Sequence, residues 1–116
     1  MRGHVLDIVF LNKRMAAEFN SLKALSRSYG AENARRILKR LDELRAADNL
    51  EVMRTLPGRC HELKYDRVGQ LAIDVRHPYR LIFEPANEPT PRKDDGGLDW
   101  SRVTSVRILE VEDYHD

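Results

Sequence analysis

A single cysteine, Cys60, leaves no partner for an internal disulfide, so burial and hydrogen bonding must hold the fold. That usage suits a reducing compartment, and a cytoplasmic location is expected. Long apolar runs are missing too. The longest near the N-terminus, Ile8-Val9-Phe10-Leu11, is far short of the roughly 20 residues a membrane helix needs, so no membrane partner is expected. No basic segment leads into a long apolar stretch with a small-residue cleavage site, so no secretion signal is expected either. A glycine-rich phosphate loop is absent: Gly96-Gly97 follows Asp94-Asp95, whose charge repels phosphate. No CxxC or HxxxH spacing occurs, His77 and His115 are far apart, and Cys60 and His61 are neighbours that a strand points to opposite faces. Neither a metal nor a cofactor is therefore expected. Nothing identifies an activating base beside Cys60, which makes it a poor candidate nucleophile.

What is present describes one globular domain spanning residues 1–116, with 41% hydrophobic and 34% charged residues. The net charge of +1 conceals an asymmetry. Residues 1–60 carry 12 Lys and Arg against 7 Asp and Glu, whereas residues 61–116 carry 8 against 12. The basic excess sits in Lys13-Arg14, Arg35-Arg36 and Lys39-Arg40, on predicted helices. Such groups either face phosphate or line the solvated side of amphipathic helices.

Val5 to Leu11 is short and β-branched, a first strand. Asn12 is placed to cap a helix in which Met15, Phe19, Leu22, Leu25 and Tyr29 recur every three or four residues. Gly30 ends it, since a residue without Cβ turns left-handed at no steric cost. A second helix is predicted over Ala31 to Ala46, with Ala34, Ile37, Leu38, Leu41 and Leu44 inward and Arg35, Arg36, Lys39 and Arg40 largely outside. Pro57-Gly58 closes a connector, and the period then changes to two. His61, Leu63 and Tyr65 share one face of a short strand. Asp66-Arg67-Val68-Gly69 has the ends of a type I turn, and Leu71-Ile73-Val75 and Tyr79-Leu81-Phe83 complete an antiparallel meander. Residues 85–99, with three prolines and two adjacent glycines, read as a long exposed loop that Trp100 pins back. In the last strand Val106 and Ile108 share one phase while Leu109 and Val111 share the other. Either both faces are covered or a bulge re-aims the end. The expected fold is α+β: an N-terminal strand, a helical hairpin and a mainly antiparallel sheet of about four further strands, with helices on one face.

Strand alternation puts Asp113 and His115 on one face and Tyr114 on the other. His61, Arg67, Arg80, Asp113, Tyr114 and His115 each have an ordinary structural explanation. A strand histidine can be a satisfied core-edge residue, and Arg80 can pair with Asp74 or Glu84 across the sheet. Together they suit one reaction, in which an RNA 2′-hydroxyl attacks the adjacent phosphorus. That step needs a base, an acid for the leaving 5′-oxygen and cations for the phosphorane charge.

Four stretches carry a resemblance: Leu56-Pro57-Gly58-Arg59-Cys60-His61-Glu62-Leu63-Lys64, Asp66-Arg67-Val68-Gly69-Gln70, Tyr79-Arg80-Leu81-Ile82-Phe83 and Val111-Glu112-Asp113-Tyr114-His115. In order and spacing they resemble the RelE/ParE toxin superfamily, and most closely its HigB-like, or killer-protein, branch in type II toxin–antitoxin systems. The resemblance implies a RelE-like fold and ribosome-dependent cleavage of mRNA. It places His61, Asp113, Tyr114 and His115 near the chemistry and Lys64, Arg67 and Arg80 at phosphate and RNA contacts. It also implies a cognate antitoxin of helix-turn-helix type, through which operator DNA is reached indirectly. The alternative within the same superfamily is a toxin without nuclease chemistry, as in its gyrase-directed branch, or a domain that only associates with antitoxin and operator.

Overall fold

The computed structural model describes residues 5–114. Its centre is a five-stranded sheet built from β1 (Asp7–Phe10), β2 (His61–Glu62), β3 (Leu71–Asp74), β4 (Tyr79–Pro85) and β5 (Ser105–Asp113), in the order β1-β5-β4-β3-β2. β1 runs parallel to β5, and the remaining neighbours are antiparallel. The expected α+β architecture, with its meander and mainly antiparallel sheet, is what forms.

Three helices, not two, precede the meander: α1 (Lys13–Phe19), α2 (Leu22–Tyr29) and α3 (Ala31–Ala46). Asn12 caps α1 as expected, its side-chain oxygen accepting from the Met15 amide at 2.8 Å. The continuous helix predicted from Asn12 to Gly30 is interrupted at Asn20-Ser21. There Ser21 accepts from the Ala24 amide at 3.1 Å and starts a new helix. A serine able to cap competes with continuation of the helix, and here the cap wins. The break keeps Phe19 and Leu25 in the core but leaves Leu22 45% exposed.

α3 has the predicted limits. Ala34, Ile37, Leu41 and Leu44 pack with Leu71, Ile73, Leu81, Phe83, Val106 and Ile108 of the sheet. Each fully buried Leu, Ile, Val or Phe among them contributes about 1.5–3 kcal/mol. Arg40 departs from expectation: it is buried rather than outside. Its Nε donates to the Asp74 carbonyl at 3.0 Å and its Nη1 to Glu43 at 3.0 Å, so the charge stays paired. The stem packs on Gly58, where φ is +110° and an added Cβ would lie 2.8 Å from Ile73 Cγ2. Only glycine fits that approach.

Residues 85–99 are not simply an exposed loop. Pro91 and Leu98 are buried, and an Arg92–Leu98 bridge closes a small hairpin whose residues 92–96 are exposed. The Asn87 side chain accepts from the Thr104 and Ser105 amides at 3.0 and 3.1 Å and fixes the loop against the start of β5. Trp100 pins the far edge, as expected. It is 3% exposed, with the Arg54 guanidinium 3.7 Å from its ring centroid.

The anticipated irregularity in β5 is a bulge. Ile82 pairs with Glu110 but Phe83 pairs with Ile108, which leaves Leu109 as the extra residue. Val106, Ile108 and Val111 therefore all serve the helix-side core.

Candidate functional site

The face of the sheet away from the helices is set by two rows of paired residues. One runs His61, Ala72, Ile82, Glu110, and the other runs Asp74, Arg80, Glu112. Paired residues share a face, so the bulge decides that Glu110 and Glu112, rather than their neighbours, stand beside Arg80. A groove of about 490 Å³ opens there, lined among others by His61, Lys64, Tyr65, Arg67, Arg80 and Glu112.

His61 stands at the sheet edge on the two-residue strand β2. Its Nδ1 lies 2.5 Å from the Arg59 carbonyl oxygen. A carbonyl only accepts, so Nδ1 carries the proton. The neutral ring therefore offers an unprotonated Nε2, and the charged ring offers Nε2–H. The same nitrogen can take a proton or give one.

The predicted strand face of His61, Leu63 and Tyr65 is not formed. β2 ends at Glu62, and Tyr65–Arg67 is a 3-10 turn. Tyr65 adopts φ +60° there and is 89% exposed on the groove rim. A bulky residue in left-handed conformation costs roughly 1–2 kcal/mol, so the turn holds the ring outward against a local preference. Among the described residues the Tyr65 side chain has no hydrogen-bond or ring partner. Alternation carried three residues past Glu62 hid this position. The turn residues Asp66 to Gly69 next to it were the available signal.

Arg67 reaches from that turn across β3 and β4. Its Nη2 donates to Glu112 at 2.7 Å and to Glu110 at 3.0 Å, and its Nη1 donates to Gln70 at 2.7 Å. Arg80 pairs with neither Asp74 nor Glu84. Its Nε and Nη2 both meet Glu112 Oε2 at 2.7 Å, because Glu112 is its directly opposite cross-strand neighbour. Partial burial raises the Glu112 pKa, but hydrogen bonds and charge from Arg80 and Arg67 outweigh it and hold the carboxyl below its usual value. Glu112 was missed in the sequence because its facing depends on the bulge.

The strand end divides as alternation requires. Asp113 is exposed and pairs with Tyr79, a residue that packs against the helix-side core, so Asp113 lies on the face away from His61 and Arg80. Tyr114 takes the groove face. Its ring lies 4.7 Å beneath the Arg80 guanidinium and its hydroxyl donates to Asp74 at 3.4 Å. His115 lies outside the described residues. Of the predicted residues, then, the groove gathers His61, Lys64, Arg67 and Arg80, with Tyr114 supporting Arg80 and Asp113 turned away. Burial pushes the Cys60 thiol up to about 12, so it holds no thiolate near neutrality. Among the described residues no group of three His, Cys, Asp or Glu side chains could hold a metal, and no helix is long and apolar enough to cross a membrane.

No protein-family model and no curated protein matches the chain. Solved structures of YoeB do share its fold. The YoeB–YefM complex from Staphylococcus aureus superposes with a TM-score of 0.53 at 16% identity, over 96% of this chain and 98% of that one. The YoeB dimer from Staphylococcus aureus gives 0.51 at 19% identity, with the same shares covered. At such identities the likeness establishes the fold.

Proposed function

We propose that this chain is the toxin of a type II toxin–antitoxin pair in the RelE/ParE superfamily, and that it cleaves mRNA on the ribosome. The observation that carries the reading is the groove. It brings together His61, Lys64, Arg67 and Arg80, four residues from three separate stretches, on one open face. The YoeB-like fold supports it, and YoeB in complex with YefM supports a cognate antitoxin as partner. The HigB-like motifs favour an antitoxin of helix-turn-helix type, which would bring operator DNA into the assembly.

In this mechanism the Arg59 carbonyl aims His61 Nε2 at the substrate, where it exchanges a proton with the reacting hydroxyl or the leaving 5′-oxygen. The resemblance gives the second proton role to His115. Asp113 faces the other way, and acts at most on groups outside the groove. Arg67, Arg80 and Lys64 hold the scissile phosphate and stabilise the charge of the pentacovalent state. Tyr65, not Tyr114, is the side chain exposed for stacking on an unpaired base, since the Tyr114 ring already lies under Arg80.

A second reading, growth inhibition by binding alone, draws on the pairing of both arginines with Glu110 and Glu112. Induction in a host without the antitoxin separates the two. Cleavage chemistry predicts arrested growth with the wild type and normal growth with folded His61→Ala. Equal arrest by both would favour binding alone.

A further inference from the structure

We infer that Arg67 and Arg80 form an oxyanion subsite already occupied by the chain's own Glu112 carboxylate, and that a phosphate of single-stranded RNA displaces it. The inference rests on the reading of the groove as an RNA site and goes further by naming what the RNA must replace. Three observations carry it.

The first is stereochemical. Arginine forks match carboxylate and phosphate oxygens alike. Glu112 sits between two of them, with Oε1 on Arg67 and Oε2 on Arg80, each at 2.7 Å. A phosphodiester presents two oxygens in the same way.

The second is that neither arginine is held by Glu112 alone. Arg67 is also held by Gln70 at 2.7 Å. Arg80 lies over the Tyr114 ring at 4.7 Å, and that ring is anchored in turn through Asp74. With the carboxylate swung aside, both guanidinium groups keep a support. Glu112 swings aside by exchanging these pairs for the incoming phosphate, its backbone fixed opposite Arg80 in the sheet while its side chain turns about three bonds.

The third is charge. Lys64, Arg67 and Arg80 are balanced along the groove by Glu62, Asp66 and Glu112. Glu62 is committed to the Trp100 indole at 2.9 Å and does not touch the arginines. Glu112 is therefore the groove-lining anion that most directly cancels the phosphate-binding pair. Its removal leaves Arg80 with no carboxylate and Arg67 with Glu110 alone, at 3.0 Å. The cost of displacing it also makes the groove discriminate against weakly bound RNA, because only a ligand with further contacts, such as a base on Tyr65, recovers the lost pairing.

Calorimetric titration with a single-stranded oligonucleotide carrying 2′-O-methyl riboses, which cannot be cut, tests this directly. Glu112→Gln keeps the shape and removes the charge. It should bind about tenfold more tightly than the wild type, with folding verified by thermal melting, while Arg80→Gln weakens binding in either background. Wild-type binding with equal or weaker binding by folded Glu112→Gln overturns the inference and leaves the RNA reading standing. No binding by either protein overturns the inference, while the reading of the groove as an RNA site stands or falls with cleavage on the ribosome. Should Glu112→Gln fail to fold, Glu112→Asp shortens the reach at constant charge. Several-fold tighter binding is expected of it, and unchanged or weaker binding overturns the inference.

Discussion

The indole Nε1–H of Trp100 donates to a Glu62 carboxylate oxygen across 2.9 Å, joining the entry of β5 to the short edge strand that carries His61. Trp100 is otherwise buried, so its one polar atom would be unsatisfied without Glu62. Trp100→Phe removes both the hydrogen bond and part of the ring under Arg54. It should cost about 1–2 kcal/mol in urea unfolding. Glu62→Gln, which can still accept from the indole, should cost less. Equal losses from the two would show that the charge rather than the hydrogen bond matters.

Gly58 supports a sharper expectation. Its φ of +110° and the 2.8 Å approach to Ile73 Cγ2 leave no room for a methyl group, and Arg40 Nε lies 3.0 Å from the same point. Gly58→Ala should lower stability by roughly 2 kcal/mol or more, since strain and clash add. The mutation also disturbs the hydrogen bond that the Asp74 amide donates to the Gly58 carbonyl, at 2.7 Å. A neutral result in denaturant titration would refute the close packing described.

Acid sensitivity should map to Glu112. Its folded pKa is held below the ordinary 4.5, so its ion pairs stabilise the fold fully above that value and are lost as pH falls through the lower folded one. Glu112 is about one-fifth exposed, at 22%, so solvent screens these pairs only in part. The stability gap between wild type and Glu112→Gln should be widest at neutral pH and close below the carboxylate range. A gap that stays constant from neutral to strongly acidic pH would contradict the assignment.

Tyr65 should matter for RNA and not for folding. At 89% exposure it contributes little packing, so Tyr65→Ala should leave the melting temperature almost unchanged. Loss of one stacked base costs about 1–3 kcal/mol in single-stranded binding, and Tyr65→Trp should preserve it. Equal affinity of Tyr65→Ala and wild type for the uncleavable oligonucleotide would remove Tyr65 from the interface.

Much of this arrangement is legible before any coordinates. Asn12, Gly30 and the apolar spacing of α3 announce the helix limits, because capping and periodicity are local properties. The phase change between Ile108 and Leu109 announces the bulge for the same reason. The break at Ser21 is hidden because a capping residue inside an unbroken apolar stripe satisfies two patterns at once. Glu112 is hidden for a deeper reason. Its neighbours depend on cross-strand register, and one slipped residue exchanges the two faces of β5. Asp113 and Glu112 thus trade places as groove residues on the strength of one extra residue, Leu109.

The most direct test of the account is cleavage itself: defined message incubated with purified ribosomes, with product ends mapped and their chemistry determined. The account predicts that wild type cuts the message and leaves 2′,3′-cyclic phosphate and 5′-hydroxyl ends. Folded His61→Ala, deprived of the proton-transfer group, should be slower by about 10²–10⁴-fold. Intact message with wild type, or cleavage undiminished by His61→Ala, would contradict it.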